Sequence, residues 1–251
     1  MSTPISDGIH SLVPREQMAP GARKLRDIYA LKPGAPMYQK EFGYYCLERW
    51  KEQGMPQDVP QSVLFGFDLP GKHELHDLGW CEAAFEPAFE VKVLEDRGAH
   101  ELVQDAAGRG VLFFKGRRSG FMPEYLTHPV TDRRTWEEKV KWRLDPRTPV
   151  RYERLRARIE GARAAAAVGM ILTQRVIGGY MYLRSLIGPG ELSYVFHDDP
   201  ELIHDCMRAW FDLADRVIAH VQRYVAFDEL FFGEDICYNH GPLISPAMIG
   251  E

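Results

Sequence analysis

The sequence predicts a mixed α/β chain in which parallel strands alternate with helices. Three observations predict it. Strand-length apolar runs over residues 170–176 and 229–232 each follow a long helical pattern; residues 86–130 switch to a period of two broken by glycine-containing turns; and 251 residues, 45% hydrophobic and 27% charged, are ordinary globular composition. A chain of this size can bury one sizeable core or two small ones.

The elements follow in order. Residues 1 to about 85 are rich in proline and glycine and predict a helix over 20–31, a short strand over 36–40 and a second helix over 44–53 that Gly54 ends. Phe89, Val91 and Val93 then alternate, Glu95-Asp96-Arg97-Gly98 supplies a turn, Leu102-Val103 extends, Asp105-Ala106-Ala107-Gly108 turns again, and Val111 to Phe114 returns. Tight hairpins give antiparallel pairing, so this segment is expected to be an insertion beside the parallel core.

From residue 131 onward the helix and strand patterns alternate. Asp132 is placed to cap a helix carrying Trp136, Val140 and Leu144, which Asp145-Pro146 ends, and Thr148-Pro149 opens another through Tyr152, Leu155, Ile159 and Ala162. The strand over 170–176 runs into Ile177-Gly178-Gly179-Tyr180. Asp199-Pro200-Glu201 starts the longest helix, whose apolar stripe includes Ile203, Cys206, Trp210, Ala214, Val217 and Val221. After the strand over 229–232, Ser245-Pro246 reads as an N-cap with proline at the first helical position. Only five residues follow Pro246, fewer than the roughly 8 a helix ordinarily needs, so a C-terminally incomplete protein is expected.

Charge and cysteine content narrow the function classes. A net charge of -5, with basic residues scattered, gives no footprint for nucleic acid. The densest basic stretch, residues 143–163, is interleaved with Asp145, Glu153 and Glu160 and reads as a solvated helix face. Cys46, Cys81, Cys206 and Cys237 are far apart, which fits a reducing compartment and offers no zinc knuckle. No run has signal-peptide or membrane-span character, so a cytoplasmic protein without a membrane partner is expected.

Functional groups of parallel βα units collect at the C-terminal ends of the strands. Three such ends are visible, at residues 41–44, 178–182 and 234–240. The candidate catalytic groups are Asp235 and Glu234; adjacent strand positions face opposite ways, so only one of them can face the axis of a barrel, and a structural role for the glutamate, paired to an internal arginine such as Arg175, stays open. Candidate substrate contacts are Glu41, Tyr44, Gly179, Tyr180, Tyr182, Cys237 and His240, with packing or turn roles open for the tyrosines and for His240. Gly178-Gly179 lacks the spacing of a dinucleotide loop. His197, His204 and His220 sit at or on the long helix without a partner constellation.

The loop Gly233-Glu234-Asp235-Ile236-Cys237-Tyr238-Asn239-His240-Gly241-Pro242-Leu243-Ile244-Ser245-Pro246-Ala247-Met248 resembles a signature loop of the uroporphyrinogen decarboxylase superfamily, which also contains corrinoid-dependent methyltransferases. Glu41-Phe42-Gly43-Tyr44 to Arg49-Trp50, the hairpin beginning Phe89-Glu90-Val91-Lys92, Pro129-Val130-Thr131-Asp132-Arg133 to Trp136, and Asp198-Asp199-Pro200-Glu201 resemble it as well. Together these stretches span about 210 of the 251 residues.

The resemblance implies an incomplete (β/α)8 TIM barrel with four or five barrel strands in this chain. Residues 1–251 would then form one partial domain, with an N-terminal extension over 1–34, the antiparallel insertion over 86–130 and βα units of the barrel over 131–251. Decarboxylases of the superfamily carry two arginines at the first strand end, where this chain, aligned on Gly43, has Lys40 and Tyr44. A lysine and a phenol do not reproduce bidentate recognition of carboxylates. The resemblance therefore favours a methyltransferase-like member acting with a corrinoid or thiol acceptor. Tetrapyrrole decarboxylation in porphyrin biosynthesis and an inactive truncated product are the alternatives. In the methyltransferase branch zinc activates the thiol, held by a His-x-Cys pair and a later cysteine. No His-x-Cys occurs here, so no metal ligand is assigned among these residues, and zinc is expected only of a longer protein. The implied partners are a small-molecule substrate or a corrinoid carrier protein.

Overall fold

The computed structural model describes residues 18–40, 47–118 and 123–250, with the side chains of Glu48 and His76 left aside. Glu41, Tyr44 and the start of the helix predicted over 44–53 lie outside the described residues. In chain order the first elements are helices α1 (Pro20–Tyr29), α2 (Leu47–Glu52) and α3 (Gln61–Leu64), and strand β1 (Lys72–Leu78). Strands β2 (Lys92–Arg97), β3 (His100–Gln104), β4 (Gly110–Phe114) and β5 (Glu124–Thr127) follow. Next is α4 (Arg133–Thr135), continued by a π turn (Trp136–Val140) and a 3₁₀ turn (Lys141–Leu144). The remainder is α5 (Pro149–Ala167), β6 (Ile171–Ile177), α6 (Gly179–Ile187), α7 (Pro189–Asp198), α8 (Pro200–Gln222), β7 (Glu229–Gly233), the two-residue strands β8 (Cys237–Tyr238) and β9 (Gly241–Pro242), and α9 (Pro246–Gly250).

The chain is mixed α/β with a parallel sheet of order β1-β6-β7. Backbone bonds show the direction: Ile171 N–H at the start of β6 donates to Gly71 O before β1, Asp228 N–H before β7 donates to Leu172 O, and Gly178 N–H just past β6 donates to Gly233 O at the end of β7. Starts meet starts and ends meet ends. Among the described residues the parallel sheet has three strands and is not closed into a barrel, fewer than the four or five expected. Residues 36–40, expected to be a strand, form none. Among the described residues their backbone pairing is limited to Asp68, whose N–H donates to Gln39 O and whose carboxylate accepts from Gln39 N–H as well as Lys24 Nζ, and one such pairing does not make a ladder.

Two compact units divide the chain, Met1–Leu75, Ala157–Gln174 and Val221–Leu230 in the first and His76–Arg156, Arg175–His220 and Phe231–Glu251 in the second. In the first unit α1 begins with Pro20 at its first position and turns Ala22 and Leu25 onto Met18 and Ile171. A buried polar knot sits beside this core. Lys72 Nζ and Thr173 Oγ1 donate to Glu229 Oε2 at 2.6 and 2.8 Å, and Tyr29 O–H donates to Glu229 Oε1 at 2.7 Å. Burial, then the bond to Glu229 and its charge, push the Tyr29 phenol up to about 12. This knot explains why β1 escapes sequence patterning. Its Lys72-His73-Glu74 start looks solvent-facing, yet Lys72 is neutralised inside.

The second unit carries an antiparallel sheet of order β2-β3-β4-β5 with Val93 opposite Val103 and Val103 opposite Val111. The turn predicted at Glu95-Asp96-Arg97-Gly98 falls later: β2 runs through Arg97, and Gly98, at φ 72°, makes the reversal while its N–H donates to Asp96 Oδ1. Glycine occupies this left-handed conformation without a Cβ penalty, which moves the reversal to it. Asp132 caps α4 through a capping box, its carboxylate accepting from Thr135 N–H at 2.7 Å. The π turn that follows buries Trp136 completely, with its Nε1–H donating to Asp205 Oδ2 at 2.7 Å. Tyr182, Leu186, Leu192, Leu202, Cys206, Leu213 and Val217 complete this core.

Candidate functional site

The second ends of β1, β6 and β7 belong to the second unit, and each runs into residues with polar or aromatic side chains. Trp80 and Cys81 follow β1 after Gly79, helix α6 follows β6 after Gly178, and Glu234-Asp235 follows β7. Helix α6 starts without a capping side chain of its own, since Gly178 holds the N-cap position. The first N–H groups of a helix have no internal partner and carry partial positive charge, so they attract an anion. Glu234 supplies it from the neighbouring strand. Its Oε2 accepts from Tyr180 N–H at 3.0 Å, and its Oε1 accepts from Met181 N–H at 3.1 Å and from Asp235 N–H at 2.8 Å. Gly178 makes room: a Cβ there would stand 2.4 Å from Glu234 Oε2 and 2.7 Å from Gly233 O.

Asp235 points elsewhere. Its Oδ2 accepts from Arg184 Nη1 at 2.9 Å, and its side chain is 61% exposed. The two acids line different spaces. Glu234 borders an apolar cleft of about 260 Å³ with Gly179, Tyr180, Phe196, Met207 and Ile236, the Tyr180 and Phe196 rings lying nearly parallel at 6.5 Å. Asp235 borders a second cavity of about 470 Å³, whose lining is largely apolar but which is called the polar cavity for the groups that Cys81, Arg109, Tyr125, His128 and Arg184 bring to it.

The polar cavity draws on every element type of this unit. The Asp105 turn holds Arg109: Asp105 Oδ1 accepts from Arg109 N–H and Oδ2 from Arg109 Nε–H at 2.8 Å, and the guanidinium lies over the Tyr125 ring at 4.6 Å. Arg109 Nη1 also donates to Cys81 O and Ser185 Oγ at 3.3 and 3.4 Å. Burial, then the nearby Arg109 charge, lower His128, so its imidazole is neutral at pH 7. Burial and then Glu82 raise the Cys81 thiol, while the charges of Arg109, Arg184 and Arg175 pull the other way. Burial raises the Tyr125 phenol.

The sequence-derived candidates therefore separate. Glu234, Gly179 and Tyr180 meet at the apolar cleft, and Asp235 lines the polar cavity. Glu234 is not paired with Arg175, whose guanidinium lies over the Trp80 and Phe231 rings at 4.4 and 5.2 Å; its carboxylate is held by the first N–H groups of α6 instead. Tyr182 is fully buried, its O–H donating to Cys206 O at 3.0 Å. Cys237 is exposed on β8, and His240 sits in the turn between β8 and β9. His204 borders the apolar cleft, and the ring of His220 meets Tyr152 at 4.7 Å. Glu41 and Tyr44 lie outside the described residues.

Cys81, Arg109, Tyr125, His128 and Arg184 were not identified from sequence. A short motif does not join them; the only available signal was Trp80-Cys81 directly after β1, and that strand was itself hidden by its charged residues. Among the described residues no group of three His, Cys, Asp or Glu side chains could hold a metal ion, and no helix is long and apolar enough to cross a membrane. Comparison with protein families, with curated proteins and with solved structures finds no match to this chain.

Proposed function

We propose that the chain is an enzyme of the uroporphyrinogen decarboxylase superfamily, built on TIM-barrel βα units, that transforms a small molecule in the polar cavity. One observation carries the reading: the residues after β1, β6 and β7, namely Cys81, Arg184 and Asp235, border a single cavity, the place where parallel βα units concentrate their chemistry. In this reading Asp235, exposed and tethered by Arg184, holds or takes a proton, and neutral His128 can donate or accept one. Glu234 is a positioning residue that fixes α6, and with it Arg184, through the helix N-terminus.

Methyl transfer involving a corrinoid or thiol is the preferred reaction, with a corrinoid carrier protein as the partner. Lys40, which stands where a decarboxylase would use arginine, is engaged by Glu74 and is not held open for a substrate carboxylate. The described residues do not fit zinc, so no step here is routed through it. Decarboxylation of an acidic substrate is the second reading, favoured by the Arg184 guanidinium at the cavity.

The test is to incubate the protein with methylcobalamin and a thiol, and separately with an acidic tetrapyrrole, following loss of the cobalt–methyl absorbance and release of carbon dioxide. Thiol-dependent demethylation that falls on the order of 100-fold in Asp235→Asn is expected, the scale of a lost general acid or base. Carbon dioxide release alone would move the assignment to decarboxylation. Neither activity, or activity indifferent to Asp235→Asn, would overturn the reading.

A further inference from the structure

We infer that the polar cavity is a receptor for a small carboxylate-bearing ligand, in which the Arg184 guanidinium exchanges Asp235 for the ligand's carboxylate. The inference rests on the functional reading above for the location of the site and adds the class of molecule that fills it. The two arginines are not equivalent. Arg109 is spent: its Nε and Nη2 engage Asp105, its Nη1 engages Cys81 O and Ser185 Oγ, and its face is covered by Tyr125. Among the described residues Arg184 makes a single charged bond, Nη1 to Asp235 Oδ2, and its Nη2 reaches only the Met181 sulfur, a weak acceptor. A guanidinium has five N–H donors arranged to grip a carboxylate at two points, so most of the donor capacity of Arg184 is unused.

Its present partner is easily displaced. Asp235 is 61% exposed and Arg184 31% exposed, and an exposed ion pair of this kind contributes little net stability. A ligand carboxylate entering the cavity can take both guanidinium edges, while Asp235 returns to water at small cost.

Other lining groups are also unspent. Among the described residues the Tyr125 hydroxyl and both nitrogens of His128 have no hydrogen-bond partner, and the Ser185 hydroxyl, which accepts from Arg109, has no acceptor for its own proton. Polar groups that face a cavity unpaired are suited to orienting a bound molecule. About 470 Å³ lies in the lower half of the roughly 300–1,000 Å³ range of small-molecule sites, which fits a compact acid rather than a macrocycle.

The experiment is isothermal titration of the intact chain with benzoate, succinate and glutarate, alongside benzamide and succinamide as uncharged counterparts. The carboxylates are expected to bind and the amides not. Arg184→Gln should weaken carboxylate binding at least about tenfold, the loss of one charge-assisted pair. Arg184→Lys should restore part of it. Asp235→Asn, by removing the internal competitor, should tighten binding, an outcome that a merely structural role would not give. Near-ultraviolet circular dichroism on each variant separates misfolding from lost contacts. Equal binding of acids and amides, no binding of any acid, or weaker binding in a folded Asp235→Asn protein would overturn the inference. Methyl transfer can fail while carboxylates still bind, and carboxylates can fail while methyl transfer proceeds, so this claim and the proposed reaction fall separately.

Discussion

Glu229→Ala is expected to destabilise the protein by roughly 3–5 kcal/mol, the cost of stranding one member of a buried ion pair. The carboxylate is almost inaccessible, with its side chain 4% exposed, and Lys72 beside it is 11% exposed. Removing it leaves the Lys72 ammonium, the Tyr29 hydroxyl and the Thr173 hydroxyl without the acceptor that all three share. Urea denaturation of the variant and of the native sequence measures the difference. Lys72→Met with Glu229→Leu should recover part of the loss, because an apolar pair leaves no buried charge.

The same group gives a pH dependence with a fixed sign. Burial raises the Glu229 carboxyl, but the bonds from Lys72, Tyr29 and Thr173 and the Lys72 charge outweigh it, so the folded value is depressed. The stability contributed is therefore fully present above the unfolded carboxylate value of about 4.3 and is lost as pH falls through the lower folded value. The gap between native sequence and Glu229→Gln should narrow in that acid window and stay constant from pH 6 to 8. A gap that widens on acidification would contradict the assignment.

Gly178→Ala is the second large effect, expected at about 1–3 kcal/mol from overpacking. The backbone at Gly178, with φ -68° and ψ 159°, suits any residue, so strain in the chain is not the cause. The new methyl group meets the Glu234 carboxylate and the Gly233 carbonyl, and one of them must move. Glu234→Ala alone should cost about 1–2 kcal/mol, as for a lost helix cap. The two substitutions should not add. Once alanine at 178 has displaced the carboxylate, deleting it removes little more, and a coupling above roughly 0.5 kcal/mol is expected in the double-mutant cycle. Additivity would mean that Glu234 does not hold the start of α6.

The contrast between Glu234 and Tyr182 on one side and Arg184 on the other shows what patterning can reach. Strands with β-branched runs, such as β6, and helices with proline or a capping residue at their start, such as α4, α5 and α9, are written locally and were legible. Strand β1 was not, because its first charge, Lys72, is neutralised by Glu229, a partner 157 residues away. Adjacent acids after β7 were identified as candidates; both lie past Gly233, the last residue of the strand, so the loop and not strand alternation sends them to different spaces. Which one serves the helix and which one faces a cavity depends on α6, whose N-terminus adjoins β7 only in three dimensions. Arg109 lies in the turn before β4, and Tyr125 and His128 lie on and just after β5; period-two patterning marks β4 without saying what its ends face, and it marks no strand over residues 124–127.

The location of the ligand site is tested most directly by protection of cysteine from alkylation. Cys81 borders the polar cavity and Cys237 lies exposed on β8, so the second thiol is an internal reference. With iodoacetamide near pH 8.5 and peptide mass spectrometry as the readout, saturating benzoate or succinate should slow labelling of Cys81 several-fold and leave Cys237 unchanged. Unaltered labelling of Cys81, or equal slowing of both thiols, would contradict a ligand seated where β1, β6 and β7 end.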